Sequence, residues 1–182
     1  MHDYSDYIVN IDVTLGEATA CGERGLDWLI ERGIVRAEPC APEDEYDIAA
    51  RYLPGPQAAA WSAEQDLETC GACLSVIVGH SVFHSGSNAD RLRCPHCQTE
   101  QALDAGGAWS VAVDAWFAQD GKDTLACPAC GRISPITEWT FLDFDWAFGN
   151  LGFCFNCWVI APRLANAMAQ VLGHRVKLVH EH

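Results

Sequence analysis

Basic residues are scarce in this chain: 11 Lys and Arg stand against 25 Asp and Glu among 182 residues, a formal net charge of −14. Nucleic-acid binders neutralise phosphates with clustered Lys and Arg, so no nucleic-acid partner is expected. Also missing is any uninterrupted apolar run near the ~18 residues of a membrane-spanning helix, so no membrane role is expected. The opening Met1-His2-Asp3-Tyr4-Ser5-Asp6 is acidic where a secretory leader is basic and then apolar, which points to a cytoplasmic protein. The sequence holds no nucleophile elbow, phosphate loop, dinucleotide fingerprint or His-Glu-x-x-His. What it does hold is 49% hydrophobic residues and seven Trp, ample for a packed interior, at a length that suits one domain or two small ones sharing a core. It also holds ten cysteines, an unusual load for a chain expected in a reducing compartment.

Charge and texture divide the chain. Residues 1–69 carry a net −11 and residues 70–182 a net −3, with the change near the Pro- and Ala-rich stretch 53–60. We therefore expect an acidic strand–helix region over 1–60 and a cysteine-rich region over 61–182, joined as one body. Tyr7, Val9, Ile11 and Val13 alternate with Asn10 and Asp12, which predicts a strand. Thr14 and Glu17 have capping-box spacing, and Ala18, Cys21, Gly25, Leu26, Leu29 and Ile30 recur at helical intervals up to Gly33. Ile34-Val35 opens a short second strand, and residues 38–47 read as an acidic loop. Further on, Trp109, Ala112, Val113, Trp116 and Phe117 predict one helix; Leu164, Ala167, Met168, Val171 and Leu172 predict another. Residues 175–179 look like a closing strand that pairs with 7–13.

Eight of the ten cysteines fall in four Cys-x2-Cys pairs: Cys70/Cys73, Cys94/Cys97, Cys127/Cys130 and Cys154/Cys157. Two residues between cysteines let both sulfurs of a turn reach one ion, and two such turns complete the tetrahedral shell that zinc prefers. Sequential pairing, Cys70/Cys73 with Cys94/Cys97 and Cys127/Cys130 with Cys154/Cys157, is the simplest arrangement; interleaved pairing stays open. Either gives two structural ions. Zinc leads on ligand type, iron in a rubredoxin-like centre is the alternative, and a redox dithiol is a third reading. A four-thiolate shell leaves no position for water or substrate, so such zinc is structural. Two filled sites would take the net charge to about −18.

Cys94-Pro95-His96-Cys97 and Cys127-Pro128-Ala129-Cys130-Gly131 resemble the knuckles of zinc-ribbon proteins. The resemblance covers residues 68–100 and 125–160, and it implies that proline shapes each turn while glycine admits the conformation after the second sulfur. Cys154-Phe155-Asn156-Cys157-Trp158 departs from it, with neither proline nor glycine. His80, His84 and His96 lie in or near the first ribbon, and each reads more simply as a surface or hydrogen-bonded histidine than as a replacement ligand. Cys21 reads as a small core residue.

The expected fold is α+β: a strand–helix N-terminal unit packed with two ribbon-like four-cysteine sites, each followed by a helix. The expected function is a non-enzymatic, zinc-stabilised acidic module that binds a basic protein, in one version an immunity or inhibitor protein for a basic toxin. Asp44, Glu45, Asp47, Asp66 and Glu68 are the contact residues of that reading. An alternative is an enzyme with a pocket in the aromatic segment 139–158, using Asp143 or Asp145 as acid/base. The sequence leaves the partner's identity and the oligomeric state open.

Overall fold

A computed structural model describes residues 4–40, 50–63, 67, 71–85, 91–103 and 107–181. The chain divides into two compact units. Unit 1 is Met1–Phe83 with Ala147–His182, and unit 2 is the insertion His84–Trp146. The chain on both sides of the insertion contributes strands to one sheet.

Unit 1 is built on β1 (Ser5–Asn10), α1 (Leu15–Glu31), β2 (Val35–Cys40), β3 (Arg51–Pro54), α2 (Ala58–Trp61) and β4 (Cys73–His84). After the insertion, β10 (Trp146–Asn156), α4 (Pro162–Leu172) and β11 (Val176–Glu181) complete it. The sheet order is β11-β1-β10-β4-β3-β2. The expected pairing of the two terminal strands is present: Tyr7 lies opposite Val179 and Val9 opposite Lys177, antiparallel. On its other side β1 pairs with β10, with Ile8 opposite Phe153.

β1 is thus an interior strand, and its alternation sorts two apolar faces instead of a wet and a dry one. Ile8 joins Leu151, Phe153, Phe155 and Leu178 in the main core, together with Ala18, Cys21 and Leu29 of α1 and Leu164, Met168 and Leu172 of α4. Tyr7 and Val9 turn to a smaller cluster with Phe83, Ala147 and Val179. The polar residues of β1 are buried with partners, as burial of an amide or carboxylate requires. Asn10 Oδ1 accepts the N–H groups of Asp12 and Val13, closing the turn into α1, while its Nδ2 meets His174 Nδ1 at 3.0 Å. The fully buried Asp6 accepts the Ile160 N–H and faces His180 Nδ1, each at 2.8 Å.

Helix α1 starts at Thr14, but not through the expected capping box: the Thr14 hydroxyl donates to the Glu17 carboxylate at 2.6 Å instead of accepting a backbone N–H. The helix ends at Glu31 with Gly33, at φ 65°, just past the cap, and Pro39 and Cys40 belong to strand β2 opposite Tyr52 and Arg51 where a loop was expected; residues 41–47 of that loop lie outside the described residues. Close approach explains Gly25, since a Cβ there would lie 2.5 Å from the Phe153 ring.

Unit 2 comprises β5 (Arg91–Arg93), β6 (Glu100–Ala102), α3 (Ala108–Ala118), β7 (Thr124–Ala126), β8 (Ile133–Pro135), a 3-10 turn at Ile136–Glu138 and β9 (Thr140–Phe141). Its sheets are β6-β5-β9 and the β7-β8 hairpin. Phe141 and Trp146 stack with centroids 4.6 Å apart, and Trp109 of α3 meets both edge-on. The helix buries Ala112 and Ala115, whereas Phe117, expected on its apolar stripe, is exposed. No helix among the described residues is long and apolar enough to cross a membrane.

Candidate metal centre

Both tight hairpins of unit 2 carry a Cys-x2-Cys turn at the tip. In the first, β5 runs into Cys94, the chain turns through Pro95-His96-Cys97, and β6 follows. The Gln98 N–H closes the turn onto the Cys94 carbonyl at 3.1 Å, and the Cys94 N–H returns to Thr99 O at 3.1 Å. In the second, β7 runs into Cys127; Gly131 N–H closes onto the Cys127 carbonyl and Cys127 N–H onto Arg132 O, both at 2.8 Å. The residue after the second cysteine is left-handed in each case, with φ 61° at Gln98 and 72° at Gly131. Gln98 offsets the cost of a side chain there by donating Nε2 to the carbonyls of Cys94 and Pro95.

The two turns bring their sulfurs together. Cys94, Cys97, Cys127 and Cys130 place all four Sγ atoms within 4.8 Å of one another. Cys94 and Cys130 are 3.9 Å apart, and Cys97 and Cys127 are 3.6 Å apart. A tetrahedron of ~2.3 Å metal–sulfur bonds has edges of about 3.8 Å, so the thiols already stand at the spacing a metal demands. Cys94 and Cys127 are buried, while Cys97 and Cys130 face outward.

The electrostatics fit the same reading. Hydrogen bonds from the side chain and backbone of Thr99 hold the Cys97 thiol low, at about 6. At Cys130 the Arg132 N–H pulls down, but burial and the three neighbouring sulfurs prevail and push it up to about 11. The first charge goes readily to Cys97 and the last is resisted, which is how four crowded sulfurs behave until a cation shares their charge.

This arrangement corrects the expected pairing. Cys94/Cys97 joins Cys127/Cys130 across α3, not Cys70/Cys73, and one cluster replaces two adjacent ribbons among the described residues. Cys73, Cys154 and Cys157 belong to unit 1, and Cys70 lies outside the described residues. Histidine is not part of the cluster. His96 Nε2 is engaged by Ser134 Oγ at 2.7 Å, a bond that ties the first turn to the second hairpin through a buried serine. His80 meets Asn150, and His84 stacks on Trp146. Reading the sequence alone overlooked Ser134, Gln98 and Thr99; only the position just after the second cysteine carried a signal, in Gly131.

Two of the three arginines beside the turns are engaged in ion pairs. Arg91 pairs with Glu100 and Asp143, and Arg93 with Glu100, at 2.7–2.8 Å. Asp143, one of the two acids of the enzyme alternative, is thus engaged by Arg91. In the aromatic segment Trp139, Phe141, Trp146, Phe148, Phe153, Phe155 and Trp158 are buried. A cleft of about 900 Å³ in unit 1 is lined, among the described residues, by Arg36, the Leu53–Pro56 turn, Ala58, Leu67 and Ala72. The contact residues Asp44, Glu45, Asp47, Asp66 and Glu68 all lie outside the described residues. Comparison with family models, curated proteins and solved structures found no match.

Proposed function

We propose that the protein is a non-enzymatic, acidic protein-binding module whose unit 2 is braced by one structural zinc ion, held in a zinc-ribbon-like way by Cys94, Cys97, Cys127 and Cys130. The observation that carries this reading is the four-sulfur cluster: a shell completed by protein leaves no coordination site for substrate, so the ion serves folding. A net charge of −14 supports a basic partner, through steering and faster association. An immunity or inhibitor protein that covers the cationic surface of a toxin is the concrete version. The Arg91 and Arg93 ion pairs support the exclusion of nucleic acid, because two of the three arginines beside the turns are already neutralised by Glu100 and Asp143.

The test is binding of the zinc-loaded full chain to defined basic proteins, a cationic nuclease among them, between about 50 and 300 mM salt. Affinity should fall steeply with salt and fall again when Asp44, Glu45 and Asp47 are neutralised together. Binding that ignores both changes, or no binding to any basic protein, overturns the reading. Iron in the same four sulfurs would colour the protein, and a colourless protein carrying one zinc in this cluster removes that alternative.

A further inference from the structure

We propose that the two outward-facing sulfurs of the cluster, Cys97 and Cys130, are a modification site for hydroperoxides, and that their oxidation joins the two hairpins by disulfides and expels the ion. The inference deepens the proposed function, since it rests on a zinc held by these four thiolates. Exposure is the first argument. Among the described residues Cys97 and Cys130 are the exposed cysteines, and the others are buried or half-buried. An oxidant arriving from solvent therefore meets a sulfur of the cluster first. A shell of four sulfurs leaves no open position at a metal, so attack falls on sulfur.

The arrangement of the sulfurs is the second. Each exposed sulfur has a buried one from the opposite hairpin beside it: Cys97 lies 3.6 Å from Cys127, and Cys130 lies 3.9 Å from Cys94. Cys94 and Cys127 are 0% and 3% exposed, so each is shielded from the oxidant yet within reach of its neighbour. The His96 N–H donates to Cys94 Sγ at 3.4 Å, and the His96–Ser134 bond holds that turn against the second hairpin. Sulfurs in a disulfide stand about 2.05 Å apart, so each pair closes by less than about 2 Å.

The chemistry balances with a hydroperoxide as oxidant. The Cys97 thiolate attacks the outer peroxide oxygen, the O–O bond breaks and an alkoxide leaves, giving a sulfenic acid. The Cys127 thiolate then attacks the Cys97 sulfur; the S–S bond forms, the S–O bond breaks and hydroxide leaves. With two protons from solvent, two thiolates and one ROOH give one disulfide, one ROH and one water. The two sulfurs are oxidised and the peroxide oxygens reduced. Cys130 and Cys94 repeat the step. A disulfide sulfur is no longer a thiolate ligand, so the first cross-link alone removes half of the shell.

The experiment treats the zinc-loaded full chain with hydrogen peroxide, follows released zinc with a chromogenic chelator, and maps cross-links by mass spectrometry of unreduced peptides. Cys97–Cys127, Cys94–Cys130 or both should appear in step with loss of the single ion. A dithiol reductant with added zinc should restore one bound ion per chain. Zinc retained under peroxide, a cross-link within one turn, or irreversible sulfinic acid at Cys97 overturns the modification site and leaves the proposed function standing. A chain isolated with no zinc on these four sulfurs overturns the proposed function, and the modification site with it.

Discussion

Removing the ion from unit 2 should unfold that unit and leave unit 1 folded. Unit 2 spans His84–Trp146, 63 residues, and segments of this size draw only about 3–5 kcal/mol from a hydrophobic core. Among the described residues its large buried side chains are few: Leu92, Leu125, Ile136, Trp139, Phe141 and Trp146. Against that stands the proposed structural zinc: in small thiolate sites its binding free energy is about 10–16 kcal/mol near neutral pH. A chelator that lowers free metal from about 1,000 times the dissociation constant to well below it withdraws about 4 kcal/mol of linkage stabilisation, roughly all that the core supplies. Hydrogen exchange read by mass spectrometry resolves the outcome. On chelation, amides of β5–β8 and α3 should lose protection, while those of β1, β10 and β11 keep theirs. Retained protection across residues 91–141 in verified metal-free protein would refute the reasoning, because the core alone would then hold the unit.

Three further outcomes follow from single positions. Gly131→Ala places a Cβ in open space but at φ 72°, so its cost is backbone strain alone, about 1 kcal/mol, read as weaker zinc retention against a competing chelator. Gly25→Ala would press a methyl group to 2.5 Å from Phe153 and 3.1 Å from Leu172, an overpacking cost of about 1–3 kcal/mol; thermal melting of the full chain should fall by roughly 2–4 °C for each kcal/mol. Asp12 is held below its usual value first by the side-chain hydrogen bond from Arg175 and then by the Arg175 N–H. A depressed carboxylate stabilises the fold above its unfolded pKa and loses that contribution as pH falls through the folded one, so Asp12→Asn should lower stability at pH 7 and flatten the acid limb below about pH 4. An acid limb of unchanged slope in denaturant titrations would remove Asp12 from that role.

The elements of unit 1 were largely legible because helical period survives burial on one side. α1 and α4 each present one apolar face, and the strands at the two ends of the chain announce themselves by β-branched content. Two features of β1 were not legible. Asn10 and Asp6 look like solvent-facing positions in an alternating strand, yet both are buried, because an interior strand has no wet face and its polar side chains are used for turns and pairing. α3 misled in the opposite direction: Phe117 completes a helical stripe in the sequence but stands exposed, since the short elements around α3 cover only Ala112 and Ala115 well.

The metal centre was legible in ligand type and illegible in partnership, for a reason of chain geometry. Sequence spacing favours neighbours, because closing a shorter loop costs less entropy, and the gaps between pairs are 20, 29 and 23 residues, so the two shorter ones attract sequential pairing. The difference is small in energy: entropy grows only as the logarithm of length, and going from 20 to 29 residues costs about 0.3 kcal/mol. Two other terms outweigh it. Within the longest gap α3 is a rigid segment, so fewer residues need ordering than the count suggests. Outside it, β4 and β10 already hold the ends of the insertion in adjacent strands, which prepays closure for any pairing symmetrical about its middle. Second-with-third pairing then costs little more than sequential pairing would, and it is the pairing the cluster adopts.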